Sequence, residues 1–85
     1  MSERIERARL NVLQALQDLG ATSAETATIT KDVDHIVGDL SRYAASNTKT
    51  LQSLIRDNLI EMDFSAFPLK IWSTSQGRDY LDKEV

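Results

Sequence analysis

The sequence predicts a small α+β domain in which amphipathic helices are joined to a short β-hairpin. Two observations predict it. Apolar residues recur at helical spacing in separate segments, and short stretches rich in β-branched and aromatic residues lie between those segments. A chain of 85 residues has room for one hydrophobic core and not for two. We therefore expect a single domain over residues 1–85.

The first helix is expected at about residues 3–19, with Ser2 as its N-cap and Gly20 just past its end. Its apolar residues form one stripe: Ile5, Ala8, Val12, Leu16 and Leu19. Leu10 and Leu13 fall outside this stripe. Two interpretations stay open for them: tolerated surface leucines, or a second buried face against another subunit.

The segment at residues 26–30 is β-branched and predicts a brief strand. Alternatively, Thr22 and Glu25 cap a short helical turn just before it. A second helix is expected at about residues 31–39 with Thr30 as its cap. Its apolar residues stand at helical spacing: Val33, Ile36, Val37 and Leu40.

A third helix is expected at about residues 42–57, with an inward face of Leu51, Leu54 and Ile55. Asn58 follows it at the C′ position, where the backbone reverses through the left-handed region that asparagine tolerates. A hairpin is then expected at about residues 59–73, followed by a last helix at about residues 75–83 that Thr74 caps.

Aromatic residues lie on the predicted hairpin. We expect Trp72 to pack against the body of the protein, as tryptophan on a short strand usually does. Phe67 stands near the turn beside Pro68, the single proline. We expect Phe67 to fold under the hairpin, and the alternative is an apolar contact with a partner.

Three blocks of sequence, in order, resemble the winged helix–turn–helix regulators of the MarR and PadR style. Residues 30–41 (TKDVDHIVGDLS) look like their second helix and turn. Residues 51–61 (LQSLIRDNLIE) are similar to their motif L-x-x-L-x-x-x-G-L-I-E, with asparagine replacing glycine. Residues 72–81 (WSTSQGRDYL) are similar to their motif Y-x-L-T-x-x-G-x-x-Y/L. This chain departs from them in two extra residues before Leu51, in Ser73 where an apolar residue is usual, and in a short wing.

The resemblance implies a three-helix core with a short β-hairpin wing and a C-terminal helix, and a function in binding double-stranded DNA. The residues of the third helix support it. One stripe at spacings of four and three is basic or hydroxyl-bearing, and no Asp or Glu occurs from Leu40 to Arg56. We expect one set of residues near base edges: Ser46, Lys49, Gln52 and Ser53. We expect another set at phosphates: Arg42, Arg56 and Lys70.

A homodimer is expected, because Leu10 and Leu13 fall outside the apolar stripe of the first helix. Its two-fold symmetry would then imply a palindromic DNA site. Its interface would use the first helix, the C-terminal helix or both. The residues proposed for it are Leu10, Leu13, Tyr80 and Leu81.

Several function classes are not expected. The chain has no cysteine and a single histidine, His35, so we expect no metal site, no cofactor and no enzymatic activity. No apolar run approaches the ~20 residues of a membrane span and the N-terminus is charged, so we expect a cytoplasmic protein. The net charge of −3 is acidic for a DNA-binding protein, and the alternative function is a winged-helix protein-interaction module whose partner binds at the wing.

Overall fold

The computed structural model describes residues 3–37 and 48–84, and this part of the chain is α+β. Four α-helices and three strands make it up. In chain order they are α1 (Glu3–Asp18), β1 (Thr28–Ile29), α2 (Thr30–Val37), α3 (Thr48–Arg56), β2 (Ile60–Asp63), β3 (Lys70–Ser73) and α4 (Ser75–Glu84). The expected residues Arg42 and Ser46 lie outside the described residues, as do Gly38 and Leu40.

The three strands form one antiparallel sheet in the order β1-β3-β2. In the register, Thr28 pairs with Ile71 across one side of β3, and Met62 pairs with Ile71 across the other. The segment before α2 contains both the brief strand and a short helical turn, a 3-10 helix (Ala24–Thr26), but Ser23 and Thr26 cap that turn rather than the expected Thr22 and Glu25. The Thr26 hydroxyl stabilises that turn by accepting the backbone N–H of Ser23 at 3.1 Å.

The first helix ends one residue earlier than expected, at Asp18, in a Schellman turn. Gly20 has a φ of 70° and its N–H donates to the carbonyl of Gln17 at 3.0 Å. The N–H of Ala21 reaches back to Leu16 at 2.9 Å, and both of these side chains are buried. Leu19 therefore lies outside the helix and is 38% exposed, instead of completing the apolar stripe.

The core contains two faces of α1. The expected stripe packs inward through Val12 and Leu16, but Leu13 is equally buried, with 1% of its surface exposed. Its side chain lies beside Gly77 on α4. Both interpretations of Leu13 were wrong, because the second face of α1 is covered by α4 of the same chain.

The end of α3 confirms the expected role of Asn58. Its φ is 60°, and its N–H donates to the carbonyl of Ile55 at 3.0 Å. The following N–H, from Leu59, donates to Leu54 at 2.9 Å, which completes a second Schellman turn. The Thr74 hydroxyl donates to the Asn58 carbonyl at 2.5 Å and accepts the N–H of Gly77 at 3.0 Å, so Thr74 is the N-cap of α4 as expected.

This turn gives a first prediction. Replacing Asn58 with valine should lower the free energy of unfolding by about 1 kcal/mol or more, because a β-branched side chain resists a positive φ. Asn58→Gly should leave it unchanged or raise it slightly. Thermal melts of the three proteins measure the difference, and equal melting temperatures would contradict the assignment of this turn.

Candidate nucleic-acid interface

The solvent-exposed face of α3 carries three of the residues expected to contact DNA. Lys49, Gln52 and Arg56 are all exposed. They stand three and four residues apart and so share one side of the helix. The nine residues of α3 include no Asp or Glu, so this side of the helix has no carboxylate of its own. It can therefore approach phosphates and present a lysine and an amide to base edges.

Ser53 is not on that face, contrary to expectation. It is buried, and its hydroxyl donates to the backbone carbonyl of Thr50 at 3.0 Å. Thr50 is also buried, with 1% exposed. A small hydroxyl whose hydrogen bond is made within its own helix costs little to bury, which is why these residues can face the core.

The buried side of α3 is therefore rotated about the helix axis relative to the predicted inward face. Leu54 is fully buried, but Leu51 and Ile55 are only half-buried and pack at the edge of the core. The buried side thus runs through Thr50, Ser53 and Leu54. Hydropathy alone could not separate a buried serine from an exposed one.

An ion-pair network at the C-terminal end of α3 was missed by the sequence reasoning. Arg9 of α1 is buried, and its Nη1 lies 3.0 Å from Oδ2 of Asp57. The other oxygen of Asp57 lies 3.4 Å from Nε of Arg56, whose side chain is 69% exposed. One carboxylate therefore contacts a buried and an exposed guanidinium. The sequence contained one indication of this burial. Around the helix axis of α1, Arg9 falls between the apolar stripe and the two leucines outside it, Leu10 and Leu13.

The hairpin supplies little positive charge. Lys70 is exposed, as expected, but pairs in the sheet register with Asp63. Hydrogen bonds from the hydroxyl and the N–H of Ser65, with a smaller contribution from Lys70, hold the pKa of Asp63 below its usual value. Asp63 therefore stays ionised, and the exposed Glu61 adds a second carboxylate nearby.

The turn of the hairpin exposes two aromatic rings. Phe67 is fully exposed and Phe64 is 69% exposed, so the expectation that Phe67 folds under the hairpin was wrong. Phe67 belongs to the six residues that join β2 to β3, and its side chain extends into solvent there. Trp72, by contrast, is half-buried and packs against the core as expected.

Two of the residues proposed for the dimer interface belong to the chain's own core. Leu13 is 1% exposed and Leu81 is 3% exposed, so neither has surface to offer a second subunit. Leu10 and Tyr80 are half-buried and pack against the same core. The physical reason is that α1 and α4 pack on each other within one chain.

Residues 3–37 and 48–84 contain no group of three or more histidine or acidic side chains placed to hold a metal ion. No helix among them has the length and apolar character that crossing a bilayer requires.

Comparison of the chain with protein-family models, with curated proteins and with solved structures finds no match.

Proposed function

We propose that this chain is a winged helix–turn–helix protein that binds double-stranded DNA and regulates transcription, with α3 in the major groove and the hairpin as its wing. The order of helices and strands and the β1-β3-β2 sheet are compatible with this fold. The observation that carries the function is the exposed face of α3. Lys49, Gln52 and Arg56 share that face, and α3 has no acidic residue.

In this proposal each residue has a distinct role. Arg56, the last residue of α3, binds a phosphate, while Gln52 and Lys49, about one and two turns before it, reach base edges. Lys70 adds a weaker phosphate contact, because Asp63 lies opposite it. Ser53 is left out, since its hydroxyl is buried.

We also propose that the protein binds as a homodimer. Of the four residues expected at its interface, only Leu10 and Tyr80 retain exposed surface, so they would lie at its edge. A two-fold dimer reads two half-sites about one helical turn apart, so its preferred sequence is an inverted repeat.

The direct experiment is selection of DNA fragments from a random duplex pool by the purified chain. We expect enriched sequences with an inverted repeat, bound with an affinity that falls steeply as salt rises, because phosphate contacts release counterions. No enrichment over several rounds, together with salt-independent retention, would contradict the proposal.

A second candidate function is favoured by the tip of the hairpin. Phe64 and Phe67 expose two aromatic side chains in the same turn, and the nearby carboxylates Glu61 and Asp63 repel phosphates. A protein surface with an apolar pocket and a basic rim is complementary to this tip. In this alternative the wing binds a protein, with or without DNA on α3.

The substitution Phe67→Ser separates the two uses of the wing. We expect the free energy of unfolding to change by no more than about 0.5 kcal/mol, because Phe67 makes no buried contact. Duplex affinity should also stay at the wild-type value if the tip serves a protein partner. Titration of the selected duplex measures this, and a large loss of affinity would instead place Phe67 on DNA. Trp72→Ser is the matched control, since this half-buried aromatic should cost stability.

A further inference from the structure

Arg9 is a charged residue of α1 that the proposed DNA contact does not use directly. Its side chain is only 4% exposed. Burying a guanidinium is costly unless it is paired and hydrogen-bonded, so the burial of Arg9 has to be explained by its contacts.

The contacts of Arg9 join three helices. Its guanidinium carbon lies 5.3 Å from the centroid of the Tyr80 ring on α4, within the range of a cation–π interaction. The Tyr80 hydroxyl in turn donates to the carboxylate of Glu6, on α1. Arg9 also forms the 3.0 Å ion pair with Asp57, directly after α3. Arg9 is therefore held in place on α1 and α4 and reaches the end of the proposed recognition helix.

Asp57 is shared between Arg9 and Arg56. Its Oδ2 faces the buried Arg9 at 3.0 Å, and its Oδ1 faces Nε of the exposed Arg56 at 3.4 Å. Arg9 is the closer of the two partners, and because Arg9 is buried, solvent screens its attraction for Asp57 less. Two positive charges and one negative charge leave a net positive charge at the surface. Without Arg9, the Asp57 carboxylate would neutralise Arg56 instead.

We propose that Arg9 is a positioning residue of the DNA interface: by binding Asp57, it keeps the positive charge of Arg56 available to a phosphate. This inference rests on the proposed function. It predicts that a side chain with no access to DNA controls one of the phosphate contacts.

The test is a salt series of duplex binding with five variants and a mixed-sequence duplex of about 20 base pairs, or two helical turns. Arg9→Met removes the charge and keeps most of the apolar stem against Tyr80. We expect it to lower the salt slope by about 0.9, as loss of one phosphate contact does. Arg56→Ala should give the same loss. Arg9→Lys keeps a charge for Asp57 and should retain the wild-type slope.

The decisive variant is Arg9→Met combined with Asp57→Asn. Removing the carboxylate as well releases Arg56, so the double variant should regain the wild-type slope although it lacks the ion pair. A role of Arg9 in packing alone would leave the double variant as impaired as Arg9→Met, and that result would overturn the proposal. If Arg9→Met does not fold, as its thermal melt would show, Asp57→Asn alone decides. It should keep the full slope, and a slope lowered by about one would overturn the proposal.

A measurement without DNA distinguishes failure of this inference from failure of the proposed function. Nitrogen-15 relaxation of the Arg56 Nε–H group should show slower motion in Arg9→Met, where Asp57 binds only Arg56, and faster motion in Asp57→Asn. If the wild-type protein binds no duplex, the proposed function fails, and the role of Arg9 in DNA binding fails with it. Unchanged Arg56 motion in Arg9→Met, with normal duplex binding by wild type, would overturn the Arg9 inference alone.

Discussion

The double charge reversal Lys49→Glu/Arg56→Glu should weaken duplex binding about a hundredfold or more, which corresponds to roughly 3 kcal/mol. The base-edge contact of Lys49 and the phosphate contact of Arg56 are lost, and two carboxylates then repel the phosphates from a face of α3 that has no carboxylate of its own. Both side chains are exposed, so the core is not affected and the protein should fold. Titration of the selected duplex at fixed salt, with a thermal melt of each protein, measures the two effects separately.

The matched control reverses the same number of charges elsewhere. Arg7 on α1 and Lys83 on α4 are exposed, and neither lies on α3 or the hairpin. Arg7→Glu/Lys83→Glu changes the net charge equally and should weaken binding much less, since only long-range repulsion is altered. If the two double variants lose affinity equally, net charge explains the effect and α3 is not the contact. If the α3 variant binds like wild type, the protein-interaction function is favoured.

Gly77→Ala should lower the free energy of unfolding by about 3 kcal/mol, the upper part of the range for overpacking a core. A Cβ built at Gly77 would lie 2.0 Å from the backbone oxygen of Leu59 and 3.2 Å from Cδ2 of Leu13. The Leu59 oxygen also accepts the N–H of Thr74 at 3.1 Å, so it cannot move without breaking that bond. Alanine's better helix propensity returns only about 1 kcal/mol.

Gly20→Ala is the matched control for this prediction. A Cβ at Gly20 meets nothing within 4 Å, and its cost comes only from the positive φ of 70°, about 1 kcal/mol. Thermal melts of the two variants should therefore differ, with a loss of roughly 10–20 °C for Gly77→Ala and about 4–8 °C for Gly20→Ala. Equal or higher stability of Gly77→Ala would contradict the close packing of α4 on Leu59.

The helix ends were predictable because their chemistry is local. A left-handed residue followed by two reverse hydrogen bonds needs only the last turn of a helix, so Gly20 and Asn58 could be assigned from sequence. The same holds for Thr74, whose hydroxyl accepts an N–H three residues ahead. The brief strand at Thr28–Ile29 was predicted from β-branching, but its place beside β3 depends on a partner some forty residues away.

The candidate site was predictable only in part, since exposure depends on what packs from elsewhere. The predicted stripe included Lys49, Ser53 and Arg56, with Gln52 beside it. Lys49, Gln52 and Arg56 are exposed as expected, because charged and amide side chains are rarely buried. Ser53 carries no such constraint. Its burial follows from a hydrogen bond to the Thr50 carbonyl, which makes the hydroxyl as acceptable in the core as on the surface.

By itself the sequence determined the order of helices and strands, the turns that end α1 and α3, and the absence of acidic residues along α3. Only the tertiary structure decided which element covers which face. It placed α4 over Leu13, so that this leucine outside the α1 stripe belongs to the chain's own core. It brought Arg9 to Asp57 across 48 positions, and left Phe67 in solvent. The reason is physical: caps and periodicity are set by neighbours in the chain, whereas burial and ion pairing are set by whichever distant residues the fold brings within contact distance.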